Sequence, residues 1–145
     1  NLLLFYTETS RESSSIIAMQ RDSVAAKSGA AVEAMHKLKK QSVMMKEALL
    51  KGEVDRMGEI LHFGWENKKQ MAKAISNDMI DGFYNAAIEA GASGGKISGA
   101  GGGGFMIFYC PGNSRHAVID ALQERGGKIQ AFQFSNEGLL TWRGK

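Results

Sequence analysis

Gly94-Gly95-Lys96-Ile97-Ser98-Gly99-Ala100-Gly101-Gly102-Gly103-Gly104-Phe105-Met106-Ile107-Phe108-Tyr109-Cys110 is the stretch that decides the fold. Its second half, Phe105 to Cys110, is a short unbroken apolar run, which reads as a central strand. Its first half is crowded with glycine. A glycine in regular structure costs about 0.5–1 kcal/mol relative to alanine, so this density beside a strand calls for unusual backbone conformations or close approaches that no side chain would allow. Loops of this kind expose successive backbone N–H groups and so form concave anion sites suited to phosphate.

Three simpler readings compete for the same glycines. Gly99-x-Gly101-x-x-Gly104 matches the dinucleotide fingerprint as a string, but that motif runs strand, loop, helix. Here a strand follows, so no helix N-terminus faces a pyrophosphate. A Walker A loop needs Lys-Ser/Thr directly after its glycines, and none is present. A plain turn between neighbouring strands needs one or two glycines, and this run is far longer.

Working outward, Leu2 to Tyr6 reads as a buried strand. Thr9-x-x-Glu12 forms a capping box. Ile16, Ile17, Val24, Val32, Met35, Leu38, Met45 and Leu49 then recur at mostly helical intervals, with a break at Gly29 and a stop at Lys51-Gly52. Val54, Met57, Leu61, Trp65 and Met71 form the stripe of a next helix. Asn77 opens another, closed by Gly91 in the position that favours a left-handed residue. Beyond the central strand, Pro111-Gly112 turns the chain. Asn113 or Ser114 caps a helix with Ala117, Val118, Ala121 and Leu122, which Gly126-Gly127 ends. Lys128 to Phe134 alternates as a half-buried strand, Ser135 to Gly138 turns, and Leu139 to Trp142 adds a short edge strand. Strand, several helices, strand, glycine loop, strand, helix, strand predicts one α+β domain: a ferredoxin-like two-layer sandwich with an additional helical segment.

Composition excludes several functions. The net charge of +3 is mild and acids stand beside the bases, which gives no warrant for nucleic acid. Lys37, Lys39 and Lys40 read as the solvated face of a helix. Cys110 is the single cysteine, so it reads as a buried inert thiol in a reducing compartment. No apolar run approaches the roughly twenty residues of a membrane span, and a cytoplasmic location with no membrane partner is expected. His36 has no acidic or cysteine partner at ligand spacing and His116 reads as part of a surface helix, so no metal site is expected from this chain alone. The chain opens on structure at Asn1 without a methionine, which suggests sequence removed upstream.

Lys96 to Phe105, with Gly91-Ala92 before it, resembles the third conserved motif of the GHMP kinases, the galactokinase, homoserine kinase and mevalonate kinase relatives. The wider frame agrees. An apolar strand followed by Thr7-x-x-Ser10-Arg11, a long helical middle, and Leu61-His62-Phe63-Gly64-Trp65-Glu66-Asn67-Lys68-Lys69 are similar to the heptose-phosphate kinase branch. Members of that branch phosphorylate the anomeric position of D-glycero-D-manno-heptose 7-phosphate. The resemblance covers nearly the whole chain and implies a GHMP kinase C-terminal domain over residues 1–145, without the family's N-terminal ATP-binding domain. That missing domain would hold the nucleotide loop and the residues for metal binding and proton abstraction. The resemblance therefore implies ATP and Mg2+ as cofactors of the intact enzyme, neither bound by this portion alone. It implies a sugar phosphate and ATP as partners, with a homo-oligomer left open. The acceptor could instead be fucose, galactose or mevalonate. A rival of another class is a non-catalytic ferredoxin-like binding module.

Within that frame Ser98, Gly99, Ala100, Gly101, Gly102, Gly103 and Gly104 make the phosphate loop, and no catalytic side chain is assigned. Lys96 reads as a point charge for phosphate or as a solvent-facing edge lysine. Ser98 either meets a substrate oxygen or satisfies the loop backbone. Arg11 reads as a sugar-phosphate contact or a solvated helix-start arginine. His62, Trp65, Glu66 and Lys69 share a helix face. There Trp65 could stack on a sugar while Lys68 or Lys69 meets a remote phosphate, or Trp65 could be plain core. An opened two-domain cleft should leave apolar surface near the loop.

Overall fold

The computed structural model describes residues 1–9, 13–26 and 29–142. Strand β1 (Leu2–Tyr6) is followed by helices α1 (Ser13–Ala25), α2 (Gly29–Leu50), α3 (Met57–Lys69) and α4 (Asp78–Glu89), with short 3-10 turns at Val54–Arg56 and Lys73–Ile75. Strands β2 (Gly94–Ile97) and β3 (Phe105–Tyr109), helix α5 (Arg115–Gln123) and strand β4 (Lys128–Gln130) complete the order. The sheet runs β2-β3-β1-β4 and every pairing is antiparallel. This is the expected ferredoxin-like arrangement, with four helices placed where the simple βαββαβ unit has one.

Register explains which face is core. Phe5 stands opposite Met106 and Ile129, and Leu3 opposite Phe108, so one pleat face carries Leu3, Phe5, Met106 and Phe108, all fully buried. The helices cover that face: Ile80, Phe83, Tyr84 and Ala87 of α4, Trp65 of α3, and Val118 and Leu122 of α5 join the same cluster. Cys110 lies in it too, and burial pushes its thiol up, in keeping with an inert sulfur.

Local chemistry sets the boundaries. Asn77 Oδ1 accepts from the Ile80 amide at 3.0 Å and caps α4. At the other end Gly91 takes φ 106°, with Gly91 N–H to Ile88 O at 3.0 Å and Ala92 N–H to Ala87 O at 2.9 Å, the paired closure that left-handed glycine permits. Helix α3 lies hard against β2, because a Cβ on Gly94 would stand 1.9 Å from the Gly58 carbonyl oxygen.

Several expectations change. The large residues read as the buried stripe of α2 are mostly at its margin; Met35 and Leu49 are exposed, and the helix buries Ala31, Ala34 and Ala48 instead. Ser114 begins α5 but makes no side-chain cap; its hydroxyl donates to the Pro111 carbonyl. The last strand stops at Gln130 rather than Phe134, and Leu139 to Trp142 is not a strand. Beyond Gln130, Phe132 and Phe134 leave the sheet edge and turn to the outer face, where they line a small apolar hollow with Leu2, Leu4 and Ile107. Glu12 of the capping box lies outside the described residues, and the Thr9 hydroxyl is engaged with Thr7.

Candidate active-site loop

The glycine loop joins β2 to β3, and its base is closed by Ser98 N–H to Phe105 O at 2.7 Å. Gly99, Gly101, Gly102, Gly103 and Gly104 have φ of 88°, 120°, 75°, 151° and 89°. Side chains rarely adopt this region. Space forbids them as well at two positions: a Cβ on Gly101 would stand 2.8 Å from the Ile75 carbonyl oxygen, and one on Gly103 2.6 Å from that of Thr9.

The loop is no free turn in solvent, since Gly101 and Gly102 are buried. Four parts of the fold hold it. Gly102 N–H donates to Ile75 O at 2.9 Å, from the 3-10 turn before α4. Gly104 N–H donates to Thr9 O at 2.7 Å, just past β1. Gln20 of α1 donates to Ala100 O at 3.3 Å, and the Lys68 ammonium of α3 donates to Gly99 O. Among the described residues, the amides of Gly99, Ala100, Gly101 and Gly103 find no acceptor. A backbone held at the Gly99 and Ala100 carbonyls and at the Gly102 and Gly104 amides, with unpaired donors among them, is an arrangement that can receive an anion.

Two lysines bring charge to this place. Lys68 is half-buried, and its pKa is pushed down to about 8, first by desolvation and then by the neighbouring charge of Lys96. Burial and a like charge both disfavour an ammonium, and an anion between the two would relieve both. Lys96 is half-buried on β2, opposite Ile107. Lys69, one residue on, is turned elsewhere: it pairs with Glu66 at 2.8 Å and lies 5.8 Å over the Trp65 ring. The structure thus gathers Lys68, Lys96 and Ser98–Gly104 and leaves Lys69 apart. Ser98 is exposed at the loop's start. Trp65 is fully buried, its ring 6.1 Å from Tyr84, and so has no face to offer a sugar; the stacking role gives way to a core role. Arg11 lies outside the described residues.

Sequence reading missed the residues that hold the loop: Thr7, Thr9, Gln20 and Ile75. No local motif marks Gln20 or Ile75. The signal available for Thr7 was a lone hydroxyl closing an apolar strand. Another missed pair is His62 and Tyr84, joined Nδ1 to hydroxyl at 2.7 Å; burial pushes that phenol above its ordinary range, opposed by a bond with the Gly95 backbone. An apolar groove lies along α1, lined by Ile17, Gln20, Val24, Met35 and Met71, and Gln20 links it to the loop at Ala100. No helix among the described residues is long and apolar enough to cross a membrane.

Comparison with known proteins gives the family and the fold. The family profile described as "GHMP kinases C terminal" matches residues 45–128. A curated relative from Campylobacter jejuni, D-glycero-alpha-D-manno-heptose 7-phosphate kinase, is 36% identical over 141 residues, which is 97% of this chain and 41% of the relative. A solved D-glycero-D-manno-heptose 1-phosphate kinase from Bacteroides thetaiotaomicron superposes with a TM-score of 0.57 at 32% identity, over 92% of this chain and 32% of that one. Mevalonate kinase of L. major, solved with R-mevalonate, gives a TM-score of 0.77 at 18% identity over 85% of this chain and 37% of that one, a likeness of fold. The chain spans about two fifths of the length of its curated heptose-kinase relative.

Proposed function

The chain belongs to the GHMP kinases through their C-terminal domain, and from that membership we propose that it is the acceptor-side portion of an ATP-dependent sugar kinase. The substrate is D-glycero-D-manno-heptose 7-phosphate or a close relative, phosphorylated at the anomeric hydroxyl. A separate N-terminal domain outside these 145 residues supplies the nucleotide-binding half, and the intact enzyme works in the cytoplasm.

The observation that carries this reading is the glycine loop, with open amides at Gly99, Ala100, Gly101 and Gly103 between fixed peptides, flanked by Lys68 and Lys96. Phosphoryl transfer asks little covalent chemistry of a protein. It asks that phosphates be positioned and their charge be met. The loop amides fit phosphate oxygens, and they do so without the reorganisation that long side chains would need. Lys68 and Lys96 supply positive charge at the loop's rim, which suits an acceptor that already carries a phosphate. Lys69 remains with Glu66 and supports α3. When bound, ATP provides the transferable phosphoryl group and its divalent cation the screening of charge. Among the described residues no three His, Cys, Asp or Glu side chains converge, and this reading assigns no residue of the chain to the cation. Its ligands belong to the proposed N-terminal domain and the nucleotide.

The test is product analysis with the full-length protein, ATP and Mg2+ against a panel of heptose 7-phosphate, galactose, fucose and mevalonate. A bisphosphate formed from the heptose ester, seen by 31P NMR, is expected. Turnover of galactose, fucose or mevalonate in its place overturns the substrate assignment, and turnover by the 145-residue chain alone overturns the division between domains.

A further inference from the structure

Among the described residues Thr7 is the one residue of polar type that is buried, 2% exposed; its hydroxyl faces the Thr9 carbonyl at 3.2 Å and, in the shorter contact, the Gly104 carbonyl of the glycine loop at 2.9 Å. Strand β1 ends with Tyr6 opposite Phe105, which carries Thr7 to the place where the loop rejoins the sheet. There the Thr7 amide and the Thr7 hydroxyl each donate to the Gly104 carbonyl at 2.9 Å. The Thr9 hydroxyl is 3.3 Å from that of Thr7, and the Thr9 carbonyl accepts from Gly104 N–H at 2.7 Å. Glu8 between them takes φ 57°, a left-handed value that non-glycine residues seldom hold. That turn brings the Thr9 carbonyl back toward the loop. Strain of this kind persists only where surrounding bonds enforce it.

Resting on the reading that the loop serves phosphoryl transfer, we propose that Thr7 is a positioning residue: its buried hydroxyl fixes the Gly104–Phe105 peptide, where the loop returns to β3, next to the Gly103–Gly104 peptide held by Thr9, so that the unpaired amides of Gly101 and Gly103 meet a phosphate in one geometry. Gly103 sits between two anchored neighbours, Gly102 on Ile75 and Gly104 on Thr9, and its backbone lies flush against Thr9. Without the hydroxyl, the Thr7 amide still holds Gly104 and the strand register survives. What is lost is the second donor that fixes the tilt of that peptide. Small misplacements of a positioning group cost rate rather than ground-state affinity.

The experiment compares Thr7→Val, which keeps the shape and removes the hydroxyl, with Thr7→Ser, which keeps the hydroxyl, both in the full-length protein. Thr7→Val is expected to lose about 10- to 100-fold in kcat with KM for ATP and acceptor within about threefold, and Thr7→Ser to recover to within about threefold of wild type. Equal losses in both variants, or an unchanged kcat in Thr7→Val, overturn the proposal. Amide hydrogen exchange gives a readout independent of turnover. In the wild type, Gly102 and Gly104 amides are expected to be protected and those of Gly101 and Gly103 open, with Gly104 protection falling in Thr7→Val alone. Should Thr7→Val not fold, Thr7→Ala takes its place, and a protected Gly103 amide in the wild type overturns the proposal without any variant. A wild type that phosphorylates none of the acceptors overturns the kinase reading by itself, while the exchange pattern still decides whether Thr7 sets the loop.

Discussion

The glycine loop and the segment after β4 invert the usual relation between hydrophobicity and order. Ser98 to Gly104 has almost no side chains, yet its middle is buried and its peptides are bonded to Thr7, Thr9, Gln20, Lys68 and Ile75. Residues 131–142 carry Phe132, Phe134, Leu139, Leu140 and Trp142, yet Leu139 is 93% and Trp142 86% exposed. Backbone groups fix the first region, whereas in the second Phe132 and Phe134 reach only the outer sheet face and Leu139, Leu140 and Trp142 stay outside the core. Order here follows satisfied partners rather than hydropathy.

The largest expected effect sharpens this contrast from the core side. Phe108 is fully buried beneath the helices, and Phe108→Ala in the 145-residue chain should cost about 3–5 kcal/mol. Trp142→Ala, though it removes a bigger side chain, should stay within about 0.5 kcal/mol. Urea unfolding of the two variants decides. A loss of 2 kcal/mol or more at Trp142 would break the comparison by showing that the segment folds onto this domain.

A second pair works on the loop alone. Gly101→Ala places a Cβ against the Ile75 backbone at φ 120°, whereas Gly99→Ala meets nothing within 4 Å and bears only the strain of φ 88°. The first should force the loop to shift and lower kcat of the full-length protein by about 100-fold. The second should be at least about tenfold milder, since left-handed strain amounts to about 1–2 kcal/mol. Equal effects would mean that conformation matters and close approach does not.

These particulars show what could be read beforehand. Phe105 to Cys110 and the glycines stand out by composition, so the central strand and the loop were legible, and with them the ferredoxin-like order. Helix α2 was misjudged at its interface because periodicity weights large residues, whereas its buried positions are Ala31, Ala34 and Ala48, which let helices approach closely. The last strand was overextended because alternation in Lys128 to Phe134 says nothing about whether a partner strand continues alongside. Thr7 was legible only as the start of Thr7-x-x-Ser10-Arg11, since nothing local announces the contact it makes 97 positions away. Lys68 and Lys69 were indistinguishable in sequence because one step of about 100° around a helix separates a loop-facing ammonium from one paired with Glu66.

That pair yields the subtlest prediction. The folded pKa of Lys68 lies near 8, below the 10.5 of a free lysine, through desolvation and the charge of Lys96. Below pH 8 the ammonium is charged in both states and burdens the fold. Between 8 and 10.5 the unfolded chain holds a proton that the folded one has released, so stability rises with pH through that window. Lys68→Met should therefore raise Tm at pH 7, with the gain shrinking toward pH 10, while Lys69→Met, which breaks the bond to Glu66, should not. Function runs the opposite way. A phosphate ester is already dianionic above pH 7, so loss of the Lys68 charge should raise KM for the phosphorylated acceptor between pH 7 and 9 in the wild type and in Lys69→Met. In Lys68→Met that slope should vanish from an already weakened KM. A residue whose removal firms the domain and blunts its grip on phosphate is held there by the substrate rather than by the fold, and an unchanged slope in Lys68→Met would return it to the solvated surface.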